Sequence, residues 1–297
     1  MSDPYSADGE LALIHNAFHQ GQYQNVVDWD SSSFSSEYTL PAHLLQLRAR
    51  LALHQYDEVA SEAKGKSQPD YAAAAIAAEY FKKPSESSPA LAKAEKLAES
   101  QGENMNVEIL CGTVLASAGK VDEALALLAK HQGSLDVVAV IVQIELSRNR
   151  LDLAKKAATA ARKWAQDNLL VNIAESWIGM REGGEKYQAA YYVFEELAQA
   201  EATQSVQSLT SQAISELHLG RLQESEAAFE QAQGLDADNA DVLANLIVLN
   251  TIAGKDVAEQ KKALQKSNPN HQLLLDLAEK KSEFDKAAER WTPKVKA

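Results

Sequence analysis

The sequence predicts an all-α fold, an extended solenoid of helical hairpins that fills one domain over residues 1–297. Three observations carry this. The chain holds 50 Ala and 35 Leu against 17 Val and 10 Ile; Ala and Leu lose little on entering a helix, whereas β-branched side chains lose rotamer freedom. Its 13 Gly and 7 Pro fall below the usual ~7% and ~5%, too few for a turn-rich all-β fold. A turn signal also recurs through the chain, with an apolar residue or Tyr two positions after the turn and a small or β-branched residue three further on.

The turns come in order at Gly21-Gln-Tyr23, His54-Gln-Tyr56, Gly119-Lys-Val121, Asn149-Arg-Leu151, Glu185-Lys-Tyr187, Gly220-Arg-Leu222 and Gly254-Lys-Asp256. The steps between them are 33, 65, 30, 36, 35 and 34 residues, and Lys83-Pro84 to Pro89 stands where the long step lacks a turn. A fixed period of about 34 residues means about eight hairpins, each covering the apolar side of the next. Residues 1–9 are expected to be a flexible tail, and Ser31–Ser36 a loop. Asp136–Val142 is β-branched and reads as a buried strand or a buried first helix; its place between two turns favours the helix. Leu209, Ala213 and Leu217, four apart, define one face of a first helix, and Phe229 and Ala232 point inward from the second. The spacing, with Gly, Ala and Phe at these positions, resembles a divergent tetratricopeptide repeat. That resemblance implies a right-handed superhelical solenoid.

Charge and motifs exclude several functions. With 29 Lys+Arg, 42 Asp+Glu and a net charge of −13, the chain lacks the clustered cations that bind phosphates or anionic lipid. The acids concentrate unevenly: between Tyr187 and Gly254 there are ten, with Arg221 alone opposing them. That pattern reads either as a solvated helix face or as a surface for a basic partner. A single Cys and no Asn-x-Ser/Thr sequon fit a reducing cytosolic setting. The longest strongly apolar run, Val137–Val142, is far short of the ~20 residues that cross a bilayer.

No catalytic constellation emerges, so no enzyme and no cofactor are expected. Gly65-Lys66-Ser67 ends like a phosphate loop but lacks the first glycine, which would fall at Ala60, and a preceding strand. His15 and His19 lie four apart on a helix and could both face a metal, but no third ligand is near in sequence and the His-Glu-x-x-His pattern is absent, so an ordinary pair of partly exposed histidines and no metal site are expected. Cys111 reads as a small core residue rather than a thiolate.

Repeat arrays act through their surfaces, and first helices line the concave side. The frame places Thr113, Ser117, Gln143, Ile214, His218 and Val248 there, where each either meets a partner or packs on the adjacent helix. That lining is neutral, without the Lys, Arg and Asn cluster that clamps a C-terminal carboxylate.

One block is more specific. Trp177-Ile-Gly-Met-Arg-Glu-Gly183-Gly184-Glu185-Lys186, followed by Ala190-Tyr191-Tyr192-Val-Phe194, resembles the ε subunit of coatomer, the COPI vesicle coat. Asn16-Ala-Phe18, Arg150-Leu-Asp-Leu-Ala154, Asn245 to Leu249, Glu283-Phe284-Asp285 and Trp291-Thr-Pro293 agree in order. The resemblance implies a non-catalytic subunit gripping the C-terminal domain of the α subunit of coatomer, in Golgi-to-endoplasmic-reticulum and intra-Golgi transport. It also implies a cytoplasmic protein, peripheral on Golgi membranes and coated vesicles through the coat. Tyr191, Tyr192 and Phe194 are expected to pack between hairpins. The alternative is a peptide-binding repeat adaptor such as a co-chaperone.

Overall fold

The computed structural model describes residues 4–5, 9–200 and 202–291, without the side chain of Ser85. Among these residues there are seventeen α-helices and no strand. They run as α1 (Ala12–His19), α2 (Tyr23–Val27), α3 (Thr39–Ala52), α4 (Tyr56–Ala63), α5 (Pro69–Lys82), α6 (Ser88–Gln101), α7 (Met105–Ser117), α8 (Val121–Leu128) and α9 (Leu135–Ser147). The series continues with α10 (Leu151–Arg162), α11 (Leu169–Glu182), α12 (Glu185–Gln199), α13 (Val206–His218), α14 (Leu222–Leu235), α15 (Ala240–Ile252), α16 (Ala258–Ser267) and α17 (Gln272–Glu289). Consecutive helices pair from α1/α2 to α15/α16, and α17 follows alone.

The recurring turn has one physical form. Gly21, His54, Gly119, Asn149, Gly220 and Gly254 all adopt positive φ, between 60° and 81°, a region that glycine enters freely and asparagine tolerates. The amide of each bonds back into the last helical turn, and the next amide reaches one residue further: Gly119 to Ala116 and Lys120 to Leu115, at 3.0 and 2.9 Å. This Schellman closure satisfies the helix-end carbonyls and starts the second helix at once. First helices begin differently. Asn104, Ser134, Asn168, Ser205 and Asn239 each cap one, accepting a first-turn amide on the side-chain oxygen, the role for which these residues are preferred.

Buried alanines at helical spacing let the second helices approach closely: Ala90, Ala94 and Ala98 on α6, then Ala154, Ala158 and Ala161 on α10. At Gly112 a Cβ would stand 3.0 Å from the Leu128 side chain of α8, so α7 and α8 approach closely there and Leu128 would have to yield to any larger residue. The β-branched run Val137–Val142 lies inside α9; burial of Val137, Val138, Ala139 and Val142, with Val140 and Ile141 half-buried, explains its apolar composition without strand pairing.

The chain divides into two compact units, Met1–Gln204 and Ser205–Ala297. In the first, α1 returns against α11, and Gln22 Nε2 donates to the Ala202 carbonyl. The first hairpin therefore meets the far end of its own unit. Within the segment 1–9 expected to be a tail, residues 1–3 and 6–8 lie outside the described residues. Tyr5 is buried, donating its hydroxyl to the Pro41 carbonyl at 2.9 Å. In the second unit Phe229, Leu209, Leu243 and Leu249 are completely or nearly completely buried. There α17 buries no residue, and Leu275, Leu277 and Phe284 are exposed along it.

Candidate functional site

Four first helices of the first unit, α3, α5, α7 and α9, bring their N-terminal ends to one place. Pro69 opens α5 with its fixed φ, and Asp70 follows in the first turn, where a carboxylate favours the helix dipole. Asn104 caps α7 through its Oδ1 and donates its Nδ2 to Asp70 at 3.1 Å; Asn106 Nδ2 donates to the same carboxylate oxygen at 3.0 Å. Around these residues lies a pocket of ≈ 410 Å³, lined also by Leu40, Leu44, Glu103, Met105, Glu108, Gln132 and Ser134. Three carboxylates face it, and Asn106 Oδ1 is buried with no hydrogen-bond partner among the described residues. The pocket is rich in acceptors and suits a group with many donors, a lysine or arginine side chain. A second pocket of ≈ 360 Å³, between α10, α11 and α12, differs. Four of its charged side chains are already paired with one another, Lys155 with Glu182 at 2.9 Å and Arg162 with Glu175 at 2.6 Å.

Burial pushes the Glu108 carboxyl up to about 7, with Lys130 opposing the shift and Glu103 adding to it. An acid with a raised folded pKa favours the fold while protonated. Stability is highest below its unfolded value near 4.5 and is lost as pH climbs through about 7. Glu108→Gln is therefore expected to match the parent at pH 4 and to exceed it by about 3 kcal/mol at pH 8, since one pKa unit is worth about 1.4 kcal/mol. Urea unfolding at the two pH values reads this. Parallel pH profiles for the two proteins would show that Glu108 is not the group responsible.

Near the pocket, two residues beyond the lining Ser134, Asp136 centres a buried charge cluster that ties α1 to α3 and α9. Asp136, 2% exposed in the first turn of α9, lies 2.6 Å through Oδ2 from His15 Nε2 and 2.6 Å through Oδ1 from Arg48 Nη2. His19 Nε2 stands 3.4 Å from Oδ1 and 3.1 Å from His15 Nε2. Tyr5 stacks on the His15 ring at 4.6 Å, and Arg48 lies over Phe18 at 4.7 Å. Burial is the largest influence on Asp136 and raises its pKa, but His15, Arg48 and His19 together outweigh it and hold the carboxyl well below the usual range. Burial drives His19 down to about 4 against the pull of Asp136, so it is neutral at pH 7.

The expected contact residues all sit on first helices. Thr113 and Ser117 are on α7 and Gln143 on α9 in the first unit; Ile214 and His218 are on α13 and Val248 on α15 in the second. Ser117, Gln143, His218 and Val248 are exposed, Thr113 and Ile214 half-buried. Thr113 gives its hydroxyl to the Ile109 carbonyl at 2.7 Å. None of the six lines the acceptor pocket, which forms at the opposite, N-terminal ends of the first helices. Asn104 and Asn106 carry a sequence signal, a capping residue with a second amide two positions on, but their convergence on Asp70 spans 34 and 36 residues. Of the aromatic block, Tyr191 and Phe194 are buried while Tyr192 is 60% exposed, because helical periodicity sets 190, 191, 194 and 198 on one face of α12. Cys111 is fully buried, and burial pushes its thiol up to about 12, the state of an inert core residue.

Stacked hairpins with a polar pocket on their first helices define an interaction protein of the helical-repeat class. Solved structures agree on the fold. The chain matches the Cut9–Hcn1 crystal structure at a TM-score of 0.59 and 11% identity, covering 90% of this chain and 53% of that one. It matches a tetratricopeptide repeat protein from Parabacteroides merdae at 0.58 and 11%, covering 86% and 96%. The chain belongs to the coatomer epsilon subunit family, whose model matches residues 7–292. Similar relatives are coatomer subunit epsilon-1 of Arabidopsis thaliana, 28% identical over 93% of this chain and 95% of that one. The probable coatomer subunit epsilon of Schizosaccharomyces pombe is 27% identical over 94% of each. The family is one of coat components, not of enzymes. Among the described residues no helix is long and apolar enough to cross a membrane.

Proposed function

We propose that this chain grips the C-terminal domain of the α subunit of coatomer, as a non-catalytic part of the COPI coat in Golgi-to-endoplasmic-reticulum and intra-Golgi transport. The family match over residues 7–292 carries the reading. The chain then works in the cytoplasm and reaches Golgi membranes and vesicles only through the assembled coat. A basic side chain of the partner enters the pocket beside Asp70, Glu103 and Glu108, in keeping with a net charge of −13. Thr113, Ser117 and Gln143 in the first unit, and Ile214, His218 and Val248 in the second, supply further contacts.

Affinity capture of the tagged chain from its native cytosol is expected to recover the α subunit one to one. In a binding assay with the purified α C-terminal domain, Glu103→Lys reverses an exposed charge at the pocket rim. It should slow association and weaken the salt dependence, as rim charges do. Recovery of chaperones with a spread of clients would replace this reading with the peptide adaptor. Glu103→Lys binding at the parental rate and salt dependence would move the partner away from the pocket.

A further inference from the structure

We propose that His15, His19 and Asp136 form a binding site for a zinc-type divalent metal ion, which fastens the first hairpin to the fifth inside the first unit. Two imidazoles four residues apart on α1 supply a pair of ligands, and the fold delivers the carboxylate from 121 residues away. His15 Nε2, His19 Nε2 and the Asp136 oxygens converge within 4.8 Å of one another. His15 Nε2 lies 2.6 Å from Asp136 Oδ2 and 3.1 Å from His19 Nε2, and His19 Nε2 lies 3.4 Å from Oδ1, the carboxylate oxygen that Arg48 also holds. Two ligands held at ~2.1 Å with a tetrahedral angle stand roughly 3.4 Å apart, and a cluster without its ion closes somewhat tighter.

A metal ion takes a lone pair from both imidazoles and an oxygen from the carboxylate, and satisfies all three together. The surroundings are those of a ligand shell. Arg48 holds the other carboxylate oxygen at 2.6 Å, and Tyr5 stacks on His15 and fixes its plane, so both ligands are oriented from behind. The His19 side chain retains 13% exposure, so of the three ligands it is the one nearest solvent. The Arg48 charge weakens the site relative to a closed structural one. The expected occupant is an exchangeable ion rather than one required for folding.

The test uses the full-length untagged chain, stripped with a chelator, and titrates zinc ion against a competing fluorescent indicator. One equivalent should bind, and the midpoint of thermal unfolding should rise with zinc, since an ion that binds only the folded state stabilises it. Cobalt ion in place of zinc should give visible absorption bands of a four-coordinate centre. His19→Gln, at the edge of the cluster, should keep the circular dichroism of the parent, lose the cobalt bands and bind zinc at least about 100-fold more weakly. His54→Gln, on an exposed turn, should bind like the parent. No zinc bound by the parent, or unchanged zinc affinity in His19→Gln, would overturn the proposal; the cobalt spectrum of the parent decides it even if the variant fails to fold.

Discussion

Asp136→Ala is expected to destabilise the first unit by about 3–5 kcal/mol, the cost of leaving a buried charge without its partner. The loss has an identifiable cause. Arg48 is 8% exposed and His15 3%, so neither can turn to water when the carboxylate goes. Arg48 Nη1 already lacks a hydrogen-bond partner among the described residues, and removing Asp136 strips Nη2 as well. Arg48→Met combined with Asp136→Leu removes both charges and fills the space. It should recover most of the stability, because a buried ion pair gains little over well-packed apolar groups. Urea unfolding of the metal-free protein, followed by the fluorescence of Trp29, Trp164 and Trp177, all in the first unit, reads each variant. A loss under about 1 kcal/mol for Asp136→Ala would mean that water reaches Arg48 and that the cluster is not a dry clasp.

This clasp also marks the limit of what the sequence makes legible. Gly21, Gly119 and Gly220 stand out in the sequence because a local requirement, positive φ at a helix end, selects them. The hairpin period follows from their spacing, and the alanines of α6 and α10 follow from helical periodicity. His15 and His19 are equally visible as a pair. Their third partner is not, because the closure of α1 onto α9 depends on the summed rotation of five hairpins, which no local pattern encodes. The acceptor pocket is hidden for the same reason: Asp70 belongs to one hairpin and Asn104 and Glu108 to the next, and each looks separately like a helix-start residue. Thr113, Ser117 and Gln143 came from the repeat frame alone. That frame selects positions on first helices, and carries no signal for which end of them holds the polar cavity. Tyr192 shows the converse case, where an aromatic inside a family-like block lies on the exposed face of its helix.

In the second unit, Phe229→Ala is expected to cost about 3–5 kcal/mol, the range for emptying a buried aromatic site. Phe229 is the largest of the fully buried side chains. It projects from α14, which packs on α13, and neighbouring positions Ala228 and Ala232 are buried alanines too small to fill the void. Those alanines fix the helix spacing, so the backbone cannot collapse inward without clashes elsewhere along α14, and the cavity stays open. Phe229→Leu keeps most of the volume and should lose only about 1 kcal/mol. The second unit's single tryptophan, Trp291, is 83% exposed and reports poorly on its core, so amide hydrogen exchange is the appropriate measurement. Peptides spanning 206–235 should lose protection by a factor of about 100 or more in Phe229→Ala, the exchange equivalent of 3 kcal/mol. Peptides from α5 and α7 report on the first unit in the same sample. If their protection falls by the same factor, the two units unfold as one cooperative body; if it is retained, each repeat block carries its own stability, as a nearest-neighbour solenoid should.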